Sequence, residues 1–199
     1  YKLSPARTLE IAQSLYDDFK CLSYPRTPSV VLGDENIELY KSTFEILSKA
    51  YPELSQGCDN SKISPENKRL FNSAKLQDHH GLIPLDVIPE DASKEQKQVF
   101  EAVLKRFFDV IKPPFVYDQC KVFAKIRDYD FTGSGRIIQQ KGFKTELEED
   151  VQEFPELTQS DLLPVLSLET LNKLTKPKKH YTNASILALM ENPKGEDEN

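Results

Sequence analysis

Lys112-Pro113-Pro114 divides this 199-residue chain into two parts with different backbone periodicities. Proline has no amide hydrogen and its ring clashes with the preceding turn, so a helix stops there. Before the pair, apolar residues recur at spacings of three and four. After it they alternate with polar ones. The chain therefore reads as α+β, with the helices first.

Ser4-Pro5 opens the first helix, with serine as the cap and proline at the first helical position. Leu9, Ala12, Leu15, Tyr16 and Phe19 form its apolar stripe. A second helix is expected from about Asn36 to Ala50, carrying Leu39, Tyr40, Phe44 and Leu47, with Tyr51 at the end of the stripe. A third, short one is expected after Ser64-Pro65, carrying Leu70 and Phe71. The fourth, from Lys94 to Ile111, has a wide apolar face of Phe100, Val103, Leu104, Phe107 and Ile111, which reads as core.

Beyond the prolines, Val122, Ala124 and Ile126 point one way and Lys121, Lys125 and Arg127 the other, a period of two and hence a strand. Phe131-Thr132-Gly133-Ser134-Gly135 is expected to turn, and Arg136 to Gln140 to return as a strand. Glu146 to Glu156 reads as an acidic solvated stretch. Leu162 to Leu174 reads as a further strand, with Pro164 placing it at an edge. A last short helix is expected from Ile186 to Met190, followed by a charged tail from Pro193.

The charge balance is 26 Lys and Arg against 32 Asp and Glu, a net of −6. Neither half is basic, so this is not a protein that coats nucleic acid by bulk charge, and any such contact falls to a few placed residues. No apolar run approaches the ~20 residues that span a bilayer. Three widely spaced cysteines, Cys21, Cys58 and Cys120, make no disulfide framework and favour a reducing, cytoplasmic setting. The chain begins with Tyr and its one Met is Met190, which points to a piece of something longer.

Two segments carry chemistry. In Leu22-Ser23-Tyr24-Pro25-Arg26-Thr27-Pro28-Ser29 the prolines impose extended backbone. Tyr24 and Arg26, two apart, then project to one side. A free phenol, with a pKa of roughly 10, is a poor nucleophile. A permanent cation beside it favours the phenolate and neutralises charge on a phosphoryl group. The plainer alternative is a proline-stiffened surface turn. In Gln77-Asp78-His79-His80-Gly81-Leu82-Ile83-Pro84 adjacent histidines precede an apolar run. No further His or Cys lies at metal-ligand spacing, so a phosphate contact or proton shuttle competes with a simple polar loop.

These segments resemble the type IA DNA topoisomerases, closest to the bacterial topoisomerase III branch. The resemblance rests on Thr8 to Tyr16 followed by Leu22 to Thr27, on Asp78 to Pro84, and on Lys176-Pro177-Lys178-Lys179-His180-Tyr181-Thr182-Asn183-Ala184-Ser185, three matches in the family's order. It implies an isomerase that cuts one DNA strand through a 5′-phosphotyrosine, passes another strand and reseals without ATP. It implies Tyr24 as nucleophile, Arg26 as the cation on the scissile phosphate and His79 as a second group there. Gln13, Thr27, Ser29 and His80 would contact the strand. Residues 1–112 would be a winged-helix-like gate domain, 113–176 part of a β-rich arch, and 177–199 the start of a body domain with its tail.

The resemblance further implies a monomer acting on single-stranded DNA, with no membrane partner. Mg²⁺ would be held by a Toprim domain outside this stretch, so none would be bound by these residues and the stretch alone would be inactive. One departure stands out: Pro28 occupies a position where the family has Asp, leaving any orientation of Arg26 by that carboxylate without support. The alternative reading, a non-catalytic module that binds single-stranded nucleic acid, has Tyr24 stacking on a base.

Overall fold

The computed structural model describes residues 3–144, 157–158, 162–191 and 193. They contain five α-helices and one β-hairpin: α1 (Pro5–Asp17), α2 (Ile37–Ala50), α3 (Pro52–Ser55), α4 (Lys94–Asp109), β1 (Val116–Ile126), β2 (Tyr129–Gln140) and α5 (Asn183–Glu191). They fall into two compact units, the described residues of Tyr1–Pro113 with those of Asn183–Asn199, and those of Pro114–Thr182.

In the first unit, α1 starts as its sequence dictates. Ser4 Oγ accepts from Arg7 N at 3.2 Å, and Pro5 occupies the first turn, where its missing amide hydrogen leaves nothing unsatisfied. The helix buries Ile11, Ala12 and Leu15. It packs on α4, whose start is a reciprocal capping box between Ser93 and Gln96. Two polar contacts fix that pairing: Gln96 Nε2 donates to Ser14 Oγ at 2.9 Å, and Arg7 bridges to Glu95 at 2.7 Å. α4 buries Val99, Phe100, Leu104, Phe107 and Phe108. On α2, Tyr40 is fully enclosed, stacked on Phe107 with centroids 4.2 Å apart and edge-on to Phe71 at 5.7 Å. Its hydroxyl donates to the Phe107 carbonyl, so the buried phenol leaves no polar atom unsatisfied. Each such aromatic contributes about 1.5–3 kcal/mol by burial.

No helix follows Ser64-Pro65: residues 64–71 are turns and irregular backbone, with single 3₁₀ turns at Asn60–Lys62 and Ser73–Lys75. The reason is local competition for backbone groups. Leu32 N donates to Leu70 O at 2.8 Å and Asn72 N to Leu32 O at 2.7 Å, drawing Phe71 into an extended bridge with Leu32. The apolar Leu70 and Phe71 are buried as foreseen, but by an extended segment.

In the second unit, β1 and β2 pair antiparallel. The reversal lies at Arg127-Asp128, with Arg127 at φ +54°, and Phe131 to Gly135 sit inside β2 opposite Ala124 to Cys120. Two polar residues between alternating runs are enough for a two-residue hairpin, and the glycines are absorbed into the ladder. Leu162 to Leu174 form no strand; they are irregular and exposed. A strand needs a partner ladder, and none of the described residues pairs with them. The acidic stretch 146–156 lies outside the described residues, as does the tail beyond 193. Among the described residues no helix is long and apolar enough to cross a membrane.

Candidate active site around Tyr24

Two loops and one helix build the site. The first loop runs on from α1, which ends at Asp17, and turns at Lys20, where φ is +55°. The second carries His79 and His80. They are joined as a short antiparallel zipper: Leu85 N donates to Cys21 O at 2.8 Å and Ser23 N to Ile83 O at 2.9 Å. Ser23, only 5% exposed, also accepts from Ile83 N through Oγ at 2.9 Å. Further along, Gly81 N donates to Val31 O at 2.8 Å. A β-carbon on Gly81 would lie 3.2 Å from the Val30 and Val31 backbone, so the close approach of the strands suits glycine.

Between these anchors the tyrosine segment is extended, as its prolines require. Tyr24 leaves the zipper half-buried. Its ring meets Tyr16 of α1 edge-on, centroids 5.5 Å apart at 75°, and the His79 ring at 4.8 Å and 54°. Lys20 caps the other partner, its ammonium 5.6 Å from the Tyr16 centroid. The Tyr24 hydroxyl takes no hydrogen-bond partner among the described residues.

Arg26, two residues on and exposed, reaches the same helix face: its Nε donates to Gln13 Oε1 at 3.2 Å. Gln13 and Tyr16 are three apart on α1 and so share a face. The extended spacing thus brings Tyr24 and Arg26 down on neighbouring helix residues. Arg26 also borders an open groove of about 440 Å³ along α1, lined by Leu9, Gln13, Ser14, Asp17 and Asp18 among others.

Thr27 and Ser29 are engaged inside the protein. Thr27 Oγ1 donates to the His79 carbonyl at 3.0 Å and accepts from Ser29 N at 3.0 Å. Ser29, 8% exposed, accepts from Gln77 N at 3.2 Å through Oγ. Both hydroxyls lock the tyrosine loop to the histidine loop. His79 is exposed beside Tyr24, whereas His80 is half-buried, with Nδ1 2.8 Å from the Gly81 carbonyl. A carbonyl only accepts, so Nδ1 carries the proton; Nε2 can donate only when the ring is cationic.

The structure therefore brings Gln13, Tyr24, Arg26, Thr27 and His79 together, with Ser29 tied to Thr27 and His80 turned to the Gly81 carbonyl. Tyr16, Asp17, Lys20 and Ser23 escaped the sequence reading as site residues. Tyr16 looked like core, Ser23 lay inside the tyrosine motif with no role of its own, and Asp17 and Lys20 carry no motif. Among the described residues, no group of three or more His, Cys, Asp or Glu side chains is placed to hold a metal ion.

A family model described as DNA topoisomerase matches residues 1–194. The chain is similar to the DNA topoisomerase 3 of Bacillus licheniformis, 32% identical over all of this chain and 29% of that protein. It is also similar to those of Bacillus subtilis, at 31%, and Staphylococcus epidermidis, at 30%, each over 97% of this chain and 28% of the relative. It thus spans less than a third of the length of these relatives. With that match running across nearly all of its residues, the chain belongs to the type IA DNA topoisomerase family.

Proposed function

We propose that this stretch supplies the cleaving tyrosine of an enzyme that opens and reseals one DNA strand. Tyr24 Oη attacks the scissile phosphorus. An O–P bond to the tyrosine forms and the bond to the 3′ oxygen breaks. The phenolic proton leaves to a nearby base or water, and the departing 3′ oxygen takes one up. The 5′ phosphate is then esterified to Tyr24, and a free 3′ hydroxyl waits to reverse the step. The ester keeps the energy of the broken bond, so no nucleotide is consumed.

The observation that carries this reading is the juxtaposition of three groups. Tyr24 presents an uncommitted hydroxyl, Arg26 lies on the same helix face, and an exposed imidazole rests against the phenol ring. Arg26 neutralises charge on the phosphoryl oxygens as it builds. His79 donates a hydrogen bond to the same phosphate or moves a proton at the 3′ oxygen. Thr27 and Ser29 hold the two loops in register, and Thr27 turns to the phosphate only by releasing the His79 carbonyl.

Residues 1–112 then act as the gate domain, 113–176 as part of the arch and 177–199 as the start of the body. The enzyme works as a monomer on single-stranded DNA. The Mg²⁺ that the family uses has no fitting ligand set among the described residues, and its acidic site belongs to a Toprim domain elsewhere in the enzyme. When bound, that ion supplies positive charge near the phosphates. The stretch alone does not relax DNA.

The test is relaxation of supercoiled DNA by the complete enzyme and its Tyr24→Phe variant. Loss of relaxation, with folding and single-strand binding retained, supports the assignment; an active variant refutes it. Binding to single strands without any covalent product from the wild type would favour the binding-module alternative.

A further inference from the structure

Pro28 follows the Arg26-Thr27 pair, and the carboxylate that stands behind the arginine belongs to α1. Gln13 Nε2 donates to Asp17 Oδ2 at 2.7 Å, one turn on along α1, while Gln13 Oε1 accepts from Arg26 Nε at 3.2 Å. A glutamine amide can face either way, since its two ends are nearly the same shape. Turned over, it would set an N–H against the arginine N–H, donor to donor. Asp17 only accepts when ionised, so it holds the NH₂ end and fixes the carbonyl end on Arg26. We propose that Asp17 is a positioning residue for the strand-cleavage step, acting through Gln13 to aim the Arg26 guanidinium. This rests on the reading of Arg26 as the phosphate-binding cation.

The relay does something a direct ion pair would not. A carboxylate bound to Arg26 would occupy the guanidinium fork and offset its charge. The neutral amide takes only Nε, and among the described residues Nη1 and Nη2 make no hydrogen bond. Those two groups are the pair that grips a phosphate side by side. Asp17 is exposed and bears on Arg26 through a neutral amide, so the cation keeps its field at the phosphate. The nearby acids Glu10 and Asp18 also border the groove but make no hydrogen bond to Gln13.

The test uses the complete enzyme with Mg²⁺ and a single-stranded oligonucleotide, reading the rate of covalent complex formation at saturating DNA and the DNA affinity separately. Asp17→Asn is expected to slow cleavage on the order of tenfold, with affinity nearly unchanged. Asp17→Glu should restore most of the rate. Gln13→Glu slows cleavage by itself, since its carboxylate binds Arg26 directly, but its two oxygens are equivalent and it gains nothing from an acceptor at Asp17, so in that background Asp17→Asn should cause no further loss. Wild-type rates in Asp17→Asn, or the same loss in both backgrounds, would overturn the relay. If the wild type forms no covalent complex at Tyr24, the cleavage reading fails by itself. A crystal structure of Asp17→Asn then judges the relay: Arg26 displaced from Gln13 supports it, and Arg26 unmoved overturns it.

Discussion

The Tyr24 and His79 rings lie 4.8 Å apart, tilted by 54°, across two loops separated by more than fifty residues. The contact holds the phenol against a group able to donate to phosphate, and it survives only while the loops stay in register.

His79 is exposed, so its replacement should leave the fold intact while weakening the chemistry. In the complete enzyme, His79→Ala should lower the cleavage rate by about 10²-fold, the usual cost of removing one placed donor from a developing anion. His79→Gln, which keeps an N–H, should recover part of it. Single-turnover cleavage of an oligonucleotide, beside a thermal melt, checks both.

Thr27 ties the loops through one hydroxyl that both donates and accepts. Thr27→Val keeps the shape and removes both bonds. Stability should fall by about 1 kcal/mol, and cleavage should slow further because Tyr24 loses its fixed place against His79. Thr27→Ser should behave nearly as wild type. Denaturant unfolding and cleavage rates, measured together, separate the two effects.

Stability should also fall in alkali. Burial pushes the Cys58 thiol up from its ordinary 9.0 to about 11, with Lys112 opposing and Asp109 adding to the rise. A thiol held neutral in the fold but free to ionise when unfolded stabilises the protein fully below pH 9. That contribution is lost as pH rises from there through about 11. Tyr40, buried likewise and also raised, extends the loss to still higher pH. Cys58→Ala should flatten the first part of the profile in denaturant unfolding measured across this range.

Much of the fold was legible because its signals are local. Ser4-Pro5 and the stripe from Leu9 to Tyr16 specify α1 without outside help, although Phe19, read as part of the same stripe, falls past its end at Asp17; the wide face of α4 does the same. The misreadings came from non-local pairing. Phe71 is claimed by Leu32, nearly forty residues earlier, and Gly133 and Gly135 sit in a ladder opposite Val122 and Cys120 instead of turning. Leu162 to Leu174 has strand composition, but composition supplies no partner.

The site divides in the same way. Tyr24 and Arg26 could be seen as a pair from extended spacing alone. His79 and Gln13 needed the family resemblance. Tyr16 could not be told from core, since an aromatic on an apolar stripe looks the same whether it faces the interior or another ring. Asp17 gave no signal, because its role depends on which way one amide points.

The most direct measurement is to trap the complete enzyme on a single-stranded oligonucleotide with denaturant, digest it, and locate the nucleotide adduct by mass spectrometry. A 5′-phosphate ester is expected on the peptide containing Tyr24, with no adduct in Tyr24→Phe. An adduct on any other residue, or one that persists in Tyr24→Phe, would contradict Tyr24 as the nucleophile.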